Sequence, residues 1–291
     1  MSEPPATGPA RVDRQTTRPR LKAPPLACDC HMHIFDPRFA PREGSPYTPP
    51  TASIADYREM QARLGLERVV VIQSVTHGTD NSNLLAALSG FGPAARGVAV
   101  VDADVADAEL QALNDAGVRG VRFELAHGVL SLDDLDRIAA RIAPFGWHID
   151  LQTDGRDLPD LLERLIGLPC PLVLDHYAKF IEPLPEDHPA VRAALHLLDA
   201  GKTWIKLTAP YAGHHRPAPW PELIPLARAY IAAAPERLVW GSEWPQSMMP
   251  MMGKPIPDHA GLLDLLLDYT DDAEVIERIL VGNPAALYGY P

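Results

Sequence analysis

Cysteine is scarce in this chain of 291 residues: Cys28, Cys30 and Cys170 are its three. They are too few and too unevenly spaced for a disulfide framework, which points to reduced thiols in a cytoplasmic setting. Basic residues are outnumbered, 26 Lys and Arg against 38 Asp and Glu, for a formal charge of −12 and a pI near 5.3. Such a chain lacks the basic face that phosphate backbones require, so nucleic acid is excluded as a partner. An anionic small molecule must instead be drawn in by a local cluster of cations. No run of about 18 apolar residues occurs, so no membrane span is expected. The first 22 residues hold five Arg and Lys and several prolines but no apolar stretch of the secretory kind. They are read as a flexible tail over 1–22, with the prolines resisting the amphipathic helix of a mitochondrial presequence.

What is present is a normal globular composition, 46% hydrophobic and 22% charged. From Ala27 onward, short apolar, β-branched runs alternate with stretches of helical period. The runs are Ala27–Phe35, Arg68–Ser74, Ala95–Asp102, Val118–Leu125, His148–Asp154, Pro171–His176, Thr203–Ala209 and Leu238–Glu243. Between them, segments such as "SIADYREMQARLG" and "VRAALHLLDAG" carry apolar residues at i, i+3, i+4 and i+7. Eight such units predict a single-domain (β/α)8 TIM barrel over 23–291. A doubly wound sheet is the alternative, and the missing G-x-G-x-x-G after the first strand counts against it. In a barrel the reactive groups gather at the carboxyl ends of the strands.

Strand parity then sorts the side chains. In "CDCHMHIF" it places Asp29, His31 and His33 on one face, read as inward, and Cys28, Cys30 and Met32 on the other, read as packing against the helices. Ser74 closes the second strand, Arg122 and Glu124 alternate in the fourth, and Gln152 stands in the fifth. His176 ends the sixth, Lys206 lies in the seventh and Glu243 ends the eighth. Polar groups turned into an apolar barrel are costly unless paired or functional, and three histidines, an acid and an arginine together make a site. Plainer readings stand beside each. Arg122 could pair with Glu124 or Glu243, Lys206 could be a rim residue extending its charge to water, and His77 could serve the helix start at Ser82. His188, His196 and His259 are expected to face solvent.

These residues resemble a known family. "DCHMHIFDP", "QSVTHGTDN", "GVRGVRFEL", "LDHYAKF", "VWGSEWPQS" and "NPAALYGY", in that order, are similar to the amidohydrolase-2 branch of the amidohydrolase superfamily. Within it they resemble the 2-pyrone-4,6-dicarboxylate lactonases and the galactarolactone isomerases. The resemblance implies a (β/α)8 barrel acting on a small carboxylated lactone, in a chain that could be a homo-oligomer. Two-metal members use a carboxylated lysine on strand four; here that strand offers Arg122 and Glu124, which speaks against a binuclear centre. His31, His33, His176 and Glu243 correspond to the mononuclear metal set, for one divalent ion such as Zn or Mn. The lactonases and isomerases of the branch work with no metal, and there the histidines polarise the carbonyl. Tyr47, Ser74, Arg122, Gln152 and Arg216 match positions that hold substrate carboxylates or hydroxyls, and Lys206 joins them as a candidate.

The departure is at strand eight. The family reads Gly-Ser/Thr-Asp-Trp-Pro-His, whereas this chain reads Gly241-Ser242-Glu243-Trp244-Pro245-Gln246. Glutamate moves the charge outward by a methylene, and Gln246 can bind substrate but cannot carry a proton. The neighbouring "SMMPMMGKP" holds four of the seven methionines and reads as a soft loop beside the site or a loop packed on the rim. The leading expectation is a lactone hydrolase in which Glu243 activates water and the histidines, alone or through a metal, stabilise the oxyanion. Sugar-acid lactone isomerisation, metal-dependent decarboxylation and a non-catalytic ligand-binding protein are the alternatives.

Overall fold

Parallel strands buried on both faces can be near-continuous runs of apolar side chains, and this chain supplies them. The computed structural model describes residues 15–126, 129–180, 184–212 and 218–291. Its strands are β1 (Cys28–Met32), β2 (Arg68–Ile72), β3 (Ala95–Ala99), β4 (Val118–Glu124), β5 (His148–Gln152), β6 (Leu172–Leu174), β7 (Thr203–Leu207) and β8 (Leu238–Trp240). They form one eight-stranded parallel sheet in sequential order, the barrel expected from the sequence.

Each of β1 to β7 is followed by a covering helix: α1 (Ile54–Leu64), α2 (Ser82–Phe91), α3 (Asp107–Asp115), α4 (Leu135–Ile142), α5 (Leu158–Ile166), α6 (Pro189–Asp199) and α7 (Ile224–Ala233). After β8 come α8 (Met248–Met251), α9 (His259–Tyr269), α10 (Ala273–Glu277) and α11 (Asn283–Tyr288). Two apolar clusters follow from strand alternation. Val69, Val71, Val121, Phe123, Ile149 and Leu151 pack outward among the helices. Val70, Ile72, Val98, Val173 and Val239 point inward, where Leu287, Tyr288 and Tyr290 close the barrel floor.

The parity reading of β1 needs correction. Asp29 pairs with Val69 and Met32 with Val71, so both Cys30 and His31 oppose Val70. That extra residue is a β-bulge, and it breaks the alternation. Cys28 and Cys30 therefore lie inside the barrel with the Val70 cluster, Cys28 Sγ 3.9 Å from the Tyr290 hydroxyl. Asp29 turns out toward α1, where its carboxylate accepts from the Tyr57 hydroxyl at 3.0 Å. It also accepts from the Ser242 amide at 2.9 Å and the Ser242 hydroxyl at 2.5 Å. Asp29 thus braces the seam between β1 and the chain after β8, rather than underlying the histidines.

That seam is completed by the backbone. The Glu243 amide donates to the His31 carbonyl at 2.8 Å, and the His33 amide donates to the Trp244 carbonyl at 2.8 Å. Gly241 permits the approach, since a Cβ there would stand 2.6 Å from His31 Cβ. Residues 15–22, read from the sequence as free tail, lie along α9. The Asp264 carboxylate accepts from the Arg20 and Leu21 amides at 3.0 and 2.8 Å, and Leu21 is buried.

Candidate active site

A cavity of about 250 Å³ opens at the carboxyl ends of the strands. Its lining includes His33, Tyr47, Ser74, Arg122, Gln152, His176, Glu243 and Gln246, all anticipated from the sequence, together with Lys179 and Tyr211, which were not. Val75, Ala209, Met248, Met249 and Met252 supply an apolar wall, so the methionine loop does border the site. Arg216 lies outside the described residues.

Glu243 sits between the two histidines of β1. Its Oε2 is 2.9 Å from His31 Nε2 and its Oε1 is 3.5 Å from His33 Nε2. Burial would raise its pKa, but the charge of His31 and the contacts with both rings outweigh burial and hold the carboxyl well below its usual range. Burial alone would lower the pKa of His31; the carboxylates of Glu243 and Asp175 reverse that and raise it. His33 Nδ1 lies 2.9 Å from the Ile72 carbonyl, which can only accept, so Nδ1 carries the hydrogen. Burial pushes the pKa of His33 down, against the opposing pull of the Glu243 carboxylate 3.5 Å from its Nε2.

His176 is oriented by a hydrogen-bonded row. Arg122 Nη2 donates to Gln152 Oε1 at 2.7 Å, and Gln152 Nε2 donates to Glu124 Oε1 at 3.1 Å. With its amide so fixed, Gln152 Oε1 accepts from His176 Nε2 at 3.1 Å, leaving Nδ1 as a lone pair. Burial pushes the pKa of His176 down to about 3.

The residues fit a single divalent ion. His31, His176 and Glu243 each offer a ligand atom within 4.8 Å of the others. Among the buried polar atoms that lack a hydrogen bond are His31 Nε2, His176 Nδ1 and Glu243 Oε2, one from each residue. His31 and Glu243 are close but out of line for a hydrogen bond, an arrangement a cation relieves. A second possible set, His31 with Asp150 and Asp175, already surrounds a cation of the protein. Lys206 Nζ lies 2.5 Å from Asp150 Oδ2, 2.9 Å from Asp175 Oδ1 and 3.2 Å from His31 Nδ1.

Lys206 is therefore beneath the site rather than in its lining: it is fully buried, and the two carboxylates hold its pKa up against the effect of burial. Asp150 and Asp175 escaped the sequence reading. Asp150 had a signal, sharing its inward parity with Gln152 on β5. His259 is a correction, being 2% exposed instead of solvent-facing. Its Nε2 is 2.7 Å from Gln246 Oε1, and its Nδ1 is 2.7 Å from Gln15 Oε1 on the N-terminal segment. Gln246 Nε2 donates to the Ser242 carbonyl at 2.7 Å, so this cavity residue is held from two sides. His188, by contrast, is partly exposed at the start of α6 and His196 is exposed on it, as expected.

The profile of the amidohydrolase family matches residues 28–290, nearly the whole barrel. The chain belongs to that family. D-galactarolactone isomerase of Agrobacterium fabrum is 34% identical over 275 residues, covering 94% of each chain. The 2-pyrone-4,6-dicarboxylate hydrolase of Comamonas testosteroni is also 34% identical, over 288 residues covering 94% of this chain and 93% of that one. Among solved structures, an apo protein of Agrobacterium tumefaciens matches with a TM-score of 0.88 and 33% identity, over 94% of this chain and 99% of that one. Among the described residues of this amidohydrolase, no helix is long and apolar enough to cross a membrane.

Proposed function

We propose that this amidohydrolase opens a small carboxylate-bearing lactone by hydrolysis. The observation that carries the reading is the ionised Glu243 carboxylate in the cavity wall, 2.9 Å from His31. Such a carboxylate is ionised and so free to accept a proton, the first requirement of a general base. Glu243 takes a proton from water as the water oxygen bonds to the lactone carbonyl carbon. It returns that proton to the ring oxygen as the ring C–O bond breaks, leaving a hydroxy acid. Arg122, Tyr47, Ser74 and Gln152 line the cavity and offer the donors for the substrate's polar groups. A divalent ion such as Zn or Mn, held by His31, His176 and Glu243, would supply Lewis-acid polarisation of the carbonyl. Relatedness to a 2-pyrone-4,6-dicarboxylate hydrolase over 94% of the chain supports hydrolysis. Three free, buried cysteines support a reducing, cytoplasmic setting.

The test is a panel of carboxylated lactones in water enriched in oxygen-18, with metal content measured before and after chelation. Ring opening with one labelled oxygen per turnover is expected, and Glu243→Gln should lower kcat by about a thousandfold. No product from any lactone, at any metal loading, would overturn the reading.

One observation favours a second reading. Gln246, its amide fixed between the Ser242 carbonyl and His259, puts no titratable group where a second proton carrier would stand. In isomerisation a substrate hydroxyl replaces water, and the equally similar galactarolactone isomerase supports that chemistry. A rearranged lactone carrying no labelled oxygen would decide for it.

A further inference from the structure

Four consecutive residues after β6, none of them glycine, have left-handed backbone: His176 (φ 55°), Tyr177 (56°), Ala178 (66°) and Lys179 (49°). L-residues rarely adopt this conformation even singly, so a run of four persists only where its surroundings impose it. The surroundings here do so from three sides. Tyr177 is buried, its hydroxyl 2.9 Å from that of Tyr269 on α9, and its carbonyl accepts from the Tyr230 hydroxyl on α7 at 3.2 Å. The Gly155 amide donates to the Lys179 carbonyl at 3.3 Å, and a Cβ on Gly155 would collide with the Ala178 carbonyl. The turn itself is closed by the Lys179 amide on the His176 carbonyl at 2.7 Å.

The result of this enforced turn is that His176 and Lys179, three residues apart, both face the cavity. Among the cations that line the cavity, Arg122 and Lys179 differ in their engagement. The Arg122 guanidinium donates to Gln152 at 2.7 Å and to the Gln73 carbonyl at 3.3 Å, with Asp175 3.9 Å away. The Lys179 ammonium makes no hydrogen bond or ion pair among the described residues; the carboxylate whose charge acts on it most is that of Glu124, in the same cavity wall. Lys179 also stands where the main cavity meets a side groove bordered by Asp157 and Asp160.

We infer that Lys179 is the anchor for the substrate's carboxylate substituent, and that the left-handed turn exists to hold this anchor in register with His176. The inference deepens the lactone-hydrolase reading by naming which cation grips the acid group. Arg122 then orders the Gln152–His176 row as well as facing the cavity, and Lys179 grips the carboxylate.

The experiment uses two readouts on the full chain. The first is the affinity for isophthalate, an unreactive aromatic dicarboxylate, by calorimetry. The second is the preference for a lactone carboxylate over its methyl ester, taken as the quotient of the two kcat/KM values. Lys179→Met should weaken isophthalate binding about tenfold to a hundredfold and reduce the quotient by a similar factor, as expected for a lost charge-assisted hydrogen bond. Lys179→Arg should recover most of both, which a purely structural lysine would not predict. Thermal unfolding reports whether the variants fold, and Lys179→Gln stands in should the methionine variant fail to. Isophthalate bound with unchanged affinity by a folded neutral variant, or not bound by wild type, overturns the inference. Binding that depends on Lys179 without ring opening of any lactone would uphold it and fault the lactone-hydrolase reading instead.

Discussion

Glu243 and His31 are joined twice. The Glu243 amide donates to the His31 carbonyl at 2.8 Å, and their side chains meet again at 2.9 Å between Oε2 and Nε2. The backbone bond fixes where the Glu243 side chain starts, and the full length of glutamate is what carries its carboxylate to the imidazole. Glu243→Asp keeps the charge and the seam but withdraws the carboxylate by one methylene. The expected outcome is a fall in kcat of roughly tenfold to a hundredfold with a much smaller change in KM. Steady-state kinetics on any lactone opened by wild type checks this. A wild-type kcat would mean that the seam does not set the position of the reacting carboxylate.

Beneath that pair, Lys206 is enclosed by Asp150 and Asp175 with none of the three side chains exposed. Removing the ammonium strips Asp150 of its ion-pair partner and leaves Asp175 with His31 and Arg122 alone, and breaking a buried pair costs about 3–5 kcal/mol in comparable cases. Lys206→Met should lose stability on that scale in urea unfolding. Adding Asp150→Asn to it removes the stranded charge and should restore a large part of the loss. Full stability of the single variant would show that water reaches the cluster.

The divided legibility of the site has physical causes. His31, His33, His176 and Glu243 could be found from sequence because polar residues at the ends of apolar strands contradict their surroundings. The orientation of Asp29 and the cysteines could not, because the bulge opposite Val70 arises from pairing with β2 and leaves no local mark in "CDCHM". The burial of His259 depends on Gln15, 244 positions away in sequence, lying over it. Lys179 was hidden for a different reason. Its place in the cavity needs a left-handed turn that glycine would have announced, and Ala178 stands there instead.

Acid stability offers a test of the barrel floor. His148 on β5 is buried, edge-on to Tyr288 at 5.3 Å, and neither ring nitrogen has a hydrogen-bond partner. Burial, reinforced by the charge of Lys206, pushes its pKa down to about 3. The unfolded chain has the ordinary histidine value of about 6.5 and takes up a proton below it, while the folded chain does not until near pH 3. The unfolded state therefore binds more protons across that window, and stability falls as pH drops through it. The contribution approaches ~1.4 kcal/mol per pH unit for this single group. His148→Gln should flatten the dependence of unfolding free energy on pH by about that amount between pH ~6 and ~4. Urea melts at a series of pH values measure it, and an unchanged slope would mean that His148 is protonated in the fold.

The turn that presents Lys179 can be tested apart from ligand binding. Ala178 has φ of 66°, where an L-residue pays roughly 1–2 kcal/mol and glycine almost none. Glycine also gives the unfolded chain more freedom, which offsets part of the gain at roughly 0.5–1 kcal/mol. Ala178→Gly is thus expected to stabilise the protein by up to about 1 kcal/mol, raising Tm by about 2–4 °C. The backbone of the turn is unchanged by this substitution, so isophthalate affinity should stay at the wild-type value. A lower Tm would show that the left-handed run relaxes in solution, and calorimetry on the same variant would show whether the Lys179 ammonium moves with it.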